Sequence, residues 1–496
     1  MKRGPGAFFG TMETIRIETI AHGGDGVGAA ADGKRIFVPL TAPGDRVEVR
    51  VVDDRGRHAR AEVVRLVKPG PERVEPGCPH VGACGGCQLQ HLSAKAQLEA
   101  KEASFYEALA RVGDLPRASI DAARPIVPSP APLRYRIRCK LEVRGRTAGY
   151  LRRRSGQIVA VEGCSLLEPP LEALALRVIA ALRERPIAHL ASVDLCVGGD
   201  GAGAAYLEPA AGAPPGWEAR AGDLLRIEGM RGVIAAPGAA RGKGRAAPPG
   251  QRPAPRIFGD PVVARDAPGA PGMRLLSRPD VFAQANAAAN EALVAEAVEA
   301  LDIAPGDEVL ELFCGSGNFT FAIAARGARV TAVEAEGAAL SLARLALEED
   351  RRRRGRGERG EPAGRKAGSA RGLGAEAPQR PDGGDQRRAP ESMPSAGSIR
   401  FVGGDASLVA AGFAAEGRRF DRVLLDPPRA GAKGLAPILA RLSPARIVYV
   451  SCDPPTLARD AKALLASGYR PILARPVDMF PQTFHVEGLL AFERTG

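Results

Sequence analysis

Two periodicities divide the chain. Residues 13–68 alternate apolar and polar positions in short runs: Thr14-Ile15-Arg16-Ile17, Gly33-Lys34-Arg35-Ile36-Phe37-Val38, Arg46-Val47-Glu48-Val49-Arg50-Val51 and Ala61-Glu62-Val63-Val64-Arg65-Leu66. The breaks are rich in Gly, Asp and Pro, as in His22-Gly23-Gly24-Asp25-Gly26 and Ala42-Pro43-Gly44-Asp45. Half-buried strands joined by tight turns predict a small antiparallel barrel over residues 1–70. From Pro305 the pattern changes. Strand-length apolar runs (Glu308–Phe313, Val330–Glu334, Ile399–Val402, Phe420–Leu425, Arg446–Ser451) now alternate with helical stretches such as Ala338–Glu349 and Thr456–Ala466. That order predicts a doubly wound α/β sheet within residues 271–496. Residues 71–270 mix strands and helices and predict a central α+β domain.

Two stretches carry neither period. Pro237–Pro255 is rich in Pro, Gly and Arg and reads as a flexible loop. Arg351–Ser398 has almost no aliphatic side chains, cannot bury enough apolar surface to offset its ordering entropy, and predicts a disordered insertion. The insertion changes how the charge is read. A net charge of +12 points to a polyanionic partner. Yet this stretch alone holds twelve Lys/Arg against six Asp/Glu, half of the excess. Aromatic residues make up only 4% of the chain, so an RNA surface here cannot lean on many stacking rings. No apolar run approaches the roughly 18 residues of a membrane span, and the N-terminus lacks a secretory apolar core. A cytoplasmic protein with a polyanionic partner and no membrane span is expected.

The candidate chemistry lies where strands end. Glu311-Leu312-Phe313-Cys314-Gly315-Ser316-Gly317-Asn318-Phe319-Thr320 follows a strand and opens a helix, so its glycines let backbone approach a ligand. The next strand ends in Glu334, placed to hold ribose hydroxyls; Asp405 follows the third and Asp426 the fourth. A ladder of acids at one sheet edge favours a nucleoside pocket over plain turn chemistry. A dinucleotide enzyme would carry three glycines in its fingerprint, and two are present, which favours S-adenosylmethionine.

Val450-Ser451-Cys452-Asp453-Pro454 ends the fifth strand at a helix start, where the helix dipole is expected to raise thiolate character. Uracil C5 is a poor nucleophile. Adding a thiolate to C6 makes C5 enolate-like, able to take a methyl group, after which a base removes the C5 proton. Such a route needs one Cys and one base. The run Asp478-Met479-Phe480-Pro481-Gln482-Thr483-Phe484-His485-Val486-Glu487 offers both His485 and Glu487, and the residues alone do not choose. Farther forward, Cys78-x5-Cys84-x2-Cys87 with the distant Cys164 suits an iron–sulfur cluster or a structural zinc.

These segments, with Phe282-Ala283-Gln284-Ala285-Asn286, Leu425-Asp426-Pro427-Pro428-Arg429-Ala430-Gly431 and Thr456-Leu457-Ala458-Arg459-Asp460, resemble the bacterial RNA 5-methyluridine methyltransferases. The resemblance covers almost the whole chain outside the two low-complexity runs. It implies a Rossmann-like S-adenosylmethionine-dependent methyltransferase domain behind an N-terminal OB-like TRAM barrel and a central iron–sulfur domain. By the same resemblance Cys452 is the nucleophile and Glu487 the base, with His485 a local structural partner. Gln284, Phe313, Asn318, Glu334, Asp405 and Asp426 would line the cofactor and uracil pocket. Cys78, Cys84, Cys87 and Cys164 would hold a [4Fe–4S] cluster, as in the ribosomal-RNA branch, leaving Cys139, Cys196 and Cys314 structural. The barrel arginines Arg35, Arg46, Arg50, Arg57 and Arg60 would meet RNA backbone.

Two positions depart from or vary within the pattern. The family often has Asn where Asp453 stands, and this carboxylate is expected to raise the neighbouring thiol's pKa. Position 405 is Asp or Asn among relatives. Barrel and cluster together imply 23S rRNA as substrate, with tRNA as the alternative, and a monomer with RNA as partner and neither DNA nor membrane. A cytosine-C5 methylase would carry a Cys after the Pro of the strand-four motif, where Pro428 and Arg429 stand. A non-catalytic RNA-binding factor would not need Cys452, Glu487 and the pocket residues together.

Overall fold

The computed structural model describes residues 10–238, 254–357 and 398–495. Most of the expected flexible run 237–255 and of the expected insertion 351–398 lies outside the described residues.

Five strands close the N-terminal barrel: β1 (Met12–Ile20), β2 (Gly26–Ala29), β3 (Arg35–Val38), β4 (Arg46–Asp54) and β5 (His58–Lys68). Alternate side chains fill it, among them Ile15, Ile17, Ile36, Val38, Val47, Val49 and Val51. The barrel is not wholly antiparallel, because β3 and β5 run parallel to close it. β2 was absent from the expected strands; its Gly-Val-Gly-Ala sequence has no apolar–polar alternation to read.

Next come α1 (Ala94–Gly113) and the two-residue β6 (Ala122–Ala123), then a seven-stranded central sheet. That sheet is built from β7 (Arg138–Arg144), β8 (Thr147–Leu151), β9 (Ile158–Val159), β10 (Leu190–Val197), β11 (Gly203–Pro209), β12 (Met230–Ala235) and β13 (Arg256–Gly259). Helix α2 (Pro169–Glu184) buries Leu171, Leu174, Val178 and Leu182 against it. At roughly 1.5–3 kcal/mol per fully buried side chain, that stripe supplies much of the local stability. A hairpin, β14 (Val263–Asp266) with β15 (Arg274–Ser277), leads onward.

The C-terminal part contains α3 (Ala287–Leu301), β16 (Glu308–Leu312), α4 (Thr320–Ala324), β17 (Arg329–Glu334), α5 (Gly337–Gly357), β18 (Ile399–Gly403) and α6 (Ala406–Ala415). It continues with β19 (Arg422–Leu425), α7 (Ala436–Leu442), β20 (Arg446–Ser451), α8 (Pro454–Leu465), β21 (Tyr469–Val477) and β22 (Glu487–Arg494). The sheet order is β18-β17-β16-β19-β20-β22-β21-β6. The strands from β16 to β20 are parallel, as the alternation predicts, while β22 is antiparallel to both its neighbours. Helix α5 continues past Glu349, where the sequence reading ended it, because Arg is a good helix former and Glu348–Arg352 and Asp350–Arg354 pair at i,i+4.

One consequence positions the site. Helix α1 packs on α8, with Phe105 and Leu109 in the same core as Leu457, Ala458 and Ala461, and β6 extends the sheet beside β21. The stretch that precedes the central sheet therefore lies on the catalytic sheet.

Candidate active site

Strand β16 ends in a turn that only particular residues can make. Phe313 stands at φ +65°, Gly315 at +55° and Gly317 at +99°. A Cβ at Gly317 would lie 2.6 Å from the Phe321 ring, so the turn demands glycine there. Glu334, at the end of β17, faces this turn: Gly315 N donates to its Oε2 at 2.9 Å and Glu336 N to its Oε1 at 2.8 Å. Each oxygen keeps a further lone pair for a ligand hydroxyl. Asn318 exchanges two amide hydrogen bonds with Asn290 of α3, at 2.7 and 3.1 Å. Asp405 caps α6, its Oδ1 accepting from the amides of Ser407 and Leu408. Gln284 lies half-buried in the loop before α3. Next to it Phe282 is 72% exposed, a stacking face the sequence reading quoted without assigning a role.

The order β17-β16-β19-β20 brings Glu334, the glycine turn, Asp426 and Cys452 to one carboxyl edge. Antiparallel β22 adds Glu487 to it. Ser451 pairs with Gly488, so the next position on each strand places Cys452 opposite Glu487. The geometry thus singles out Glu487, not His485, as the carboxyl beside the thiol. Burial holds the His485 imidazole down at about 4, a neutral ring packed 4.2 Å from that of Phe484.

The expected thiolate character is not what the site shows. Burial pushes the Cys452 thiol up to about 11; Glu487 and Asp426 push the same way, and Arg429 opposes by charge and hydrogen bond. The helix start cannot compensate, because Asp453 caps α8 by accepting from Thr456 N at 2.9 Å. That cap also engages the Asp453 carboxylate; Glu487 and Asp426 are acids that push the thiol up. Glu487 itself is 2% exposed and is held well above the usual carboxylate range by burial and by Asp426, against Arg429. Burial pushes Asp426 up to about 7. Two carboxyls and a thiol in so dry a place cannot all be ionised together.

Two groups escaped the sequence reading. Glu311, an acid in the middle of an apolar strand, is fully buried, pushed up to about 8 by desolvation, and accepts from Thr320 Oγ1 at 2.5 Å. An acid flanked by Leu310 and Leu312 was the available signal. Arg429, named only within its motif, faces both Cys452 and Glu487. Its loop is tied to α8: Asp460 accepts from Ala432 N at 2.8 Å and from the Tyr449 hydroxyl at 2.7 Å, and Arg459 donates to Ala430 O at 2.9 Å.

Away from this edge, Cys78, Cys84, Cys87 and Cys164 all line one cavity of about 230 Å³. Burial raises the thiols of Cys84, Cys87 and Cys164, Cys87 to about 12, and the thiols raise one another by charge. Gln90 Nε2 donates to Cys87 Sγ at 3.2 Å. Among the described residues no group of three or more His, Cys, Asp or Glu is arranged to hold a metal ion. Cys139, Cys196 and Cys314 are buried, and Cys139 also borders this cavity.

Comparisons with known proteins bear on the family and the fold. A family model described as tRNA (Uracil-5-)-methyltransferase matches residues 273–353 and 411–495, and a TRAM domain model matches residues 8–64. The chain is 34% identical over 493 residues to the 23S rRNA (uracil(1939)-C(5))-methyltransferase RlmD of Alkalilimnicola ehrlichii, covering 97% of this chain and 96% of that one. It is 33% identical over 492 residues to the protein of the same name from Klebsiella pneumoniae, covering 97% and 95%. A crystal structure of Pyrococcus abyssi tRNA (uracil-54, C5)-methyltransferase in complex with S-adenosyl-L-homocysteine shares the fold, with a TM-score of 0.65 and 22% identity over 97% of this chain and 100% of that one. Full-length similarity at this level means that the chain belongs to the S-adenosylmethionine-dependent RNA uracil-C5 methyltransferase family, with a TRAM domain at its N-terminus.

Proposed function

We propose that this protein methylates carbon 5 of a uridine in 23S rRNA, with Cys452 as covalent nucleophile and Glu487 as base. The observation that carries the reading is the pairing of β20 with β22, which sets Cys452 opposite Glu487 at the edge shared with Glu334 and Asp426. The ribosomal substrate rests on the names of relatives aligned along nearly the full chain.

S-adenosylmethionine supplies an electrophilic methyl group when bound, and Gln284, Phe313, Asn318, Glu334, Asp405 and Asp426 are the residues that would hold it and the uracil. Cys452, which is only partly buried, gives up its proton to solvent, assisted by the Arg429 charge, and its sulfur adds to C6. The C6 adduct leaves C5 electron-rich enough to take the methyl group. Glu487, once ionised, takes the C5 proton. Its raised pKa makes it a strong base in that step. The electron pair from the C5–H bond re-forms the double bond and expels the Cys452 thiolate. Because both ring carbons must meet protein groups in one pocket, the target base lies in a loop or is flipped out of its stack.

The test is trapping. RNA bearing 5-fluorouridine has no C5 proton to lose, so the protein with cofactor should form a stable covalent complex. Cys452→Ala should form none and transfer no methyl. A Cys452→Ala variant that still methylates RNA overturns the reading.

The four cysteines are further proposed to hold a [4Fe–4S] cluster. Four thiols stand around a void instead of converging on one point, and iron with sulfide would occupy it while stabilising the thiolates. Iron and sulfide content after anaerobic purification tests this, and stoichiometric zinc without sulfide overturns it. The division of labour proposed is a barrel over 1–70 for RNA, a central cysteine-bearing part over 71–270, and the chemistry over 271–496.

A further inference from the structure

The loop between β21 and β22, residues 478–486, pairs with no strand among the described residues, yet it delivers Glu487. It contains Gln482 at φ +70°. A non-glycine residue in that region is strained and persists only where its surroundings over-determine it. Here they do. Gln482 N donates to Gln97 Oε1 at 2.9 Å, while Gln97 Nε2 donates back to Gln482 Oε1 at 3.0 Å. The amides of Gln88 and Leu89 both donate to Gln482 O at 3.0 Å. Four residues earlier, Lys101 Nζ donates to Asp478 Oδ1 at 2.5 Å and to Phe480 O at 2.9 Å. Lys101 is 1% exposed, and so deep an ammonium is tolerated only with a fixed partner.

We infer that Lys101 and Gln97, one turn apart on α1, are positioning residues for methyl transfer: they clamp residues 478–486 and so set the Glu487 carboxyl against the carbon bonded to Cys452. The inference rests on reading Glu487 as the base. The clamp also ties that carboxyl to the cysteine-bearing segment, since Gln88 follows Cys87 directly. Residues far from the chemistry in sequence thereby fix a catalytic distance.

The chemistry separates this role from mere folding. Glu487 is needed only after the Cys452 sulfur has bonded to C6 and the methyl group has reached C5. A misplaced carboxyl leaves those events intact, but the C5 proton stays and the C6–S bond does not break. Misplacement by about 1 Å costs on the order of 100-fold in such a step. The experiment uses the full chain, 23S rRNA transcribed in vitro and methyl-labelled S-adenosylmethionine. Gln97→Leu and the double variant Lys101→Met/Asp478→Asn, which leaves no buried charge unpaired, are compared with wild type and Glu487→Gln on denaturing gels.

The expected result is a labelled covalent protein–RNA complex that accumulates in the clamp variants and decays on the order of 100-fold more slowly than in wild type. Its formation should change by less than about threefold, whatever the change in melting temperature. Loss of formation and release in equal measure, or wild-type release, overturns the inference. A Glu487→Gln protein that accumulates no complex overturns the base assignment instead, a distinguishable failure.

Discussion

The Arg429 cation opposes the acids around the thiol, and its value can be read from the sign of its effect. Cys452 at about 11 holds only on the order of one thiolate in ten thousand at pH 7. Each unit of pH increases that fraction about tenfold until the pKa is reached. The rate of covalent trapping by 5-fluorouridine RNA should therefore rise close to tenfold per unit between pH 6 and 9. Arg429 lowers the thiol's pKa, so Arg429→Gln should slow trapping by about tenfold at pH 7.5 while keeping the slope. A pH-independent trapping rate would contradict the protonated resting thiol. Glu311 makes a separate prediction. Its folded pKa of about 8 lies above the ordinary 4.5, raised by burial first and then by Asp426 and Glu334, so the folded state holds its proton more tightly. Stability from this group is full below pH 4.5 and is lost as pH climbs toward 8. The wild-type melting temperature should fall between pH 6 and 8.5, and fall less in Glu311→Gln, which keeps an acceptor for Thr320. Asp426, raised to about 7, has the same sign and leaves a residual slope. Placement was legible in the sequence at this scale: the strand-end groups Glu334, Asp405, Asp426 and Cys452 come to one carboxyl edge. Ionisation was not, because it depends on which carboxyls the fold stacks around a dry thiol.

Elements were legible where a period existed. The parallel strands β16 to β20 lie where the apolar runs placed them, because a strand buried on both faces must be apolar throughout. β2 escaped because Gly and Ala present no period, and α1 could not be assigned to the catalytic sheet because its partner α8 lies more than 300 residues later. The loop at 427–432 shows how an element's end is held. Gly431 stands at φ +79°, and a Cβ there would lie 2.4 Å from the Asp460 carboxyl. Asp460 is 6% exposed and takes the Tyr449 hydroxyl, the Ala432 amide and Arg459 together. Removing it takes the acceptor from two buried donors, the Tyr449 hydroxyl and the Ala432 amide, and the ion-pair partner from the exposed Arg459. Asp460→Ala should cost about 1–3 kcal/mol in urea unfolding, the cost of leaving a buried donor unsatisfied. It should also slow trapping, since Arg429 rides on the same loop. Asp460→Asn, which keeps one acceptor, should lose less than half of that stability. Equal stability of wild type and Asp460→Ala would show that the loop is held elsewhere.

At the scale of the whole molecule, the proposed role of the barrel requires RNA on it to reach the edge of the C-terminal sheet. Asp25, at the turn before β2, is buried and pairs with both Arg153 and Arg154 of the central part, so the barrel is fastened by charge. Of the arginines expected to meet RNA, Arg35 is already paired with Glu18 and Arg50 with Glu62. Arg57 and Arg60 are exposed and, among the described residues, carry no ion pair. Net charge could not make this distinction, because it counts paired and unpaired arginines alike. A guanidinium already committed to a carboxylate has less to gain from a phosphate than a solvated one. Each phosphate contact to a single strand contributes about 0.7 to the slope of log affinity against log salt. Arg57→Gln/Arg60→Gln should therefore weaken RNA binding at low salt and reduce that slope by about 1.4 in filter binding from 50 to 300 mM salt. Arg35→Gln should change it by less than half as much. A slope unchanged in the double variant would mean that RNA reaches the catalytic edge without touching this face of the barrel.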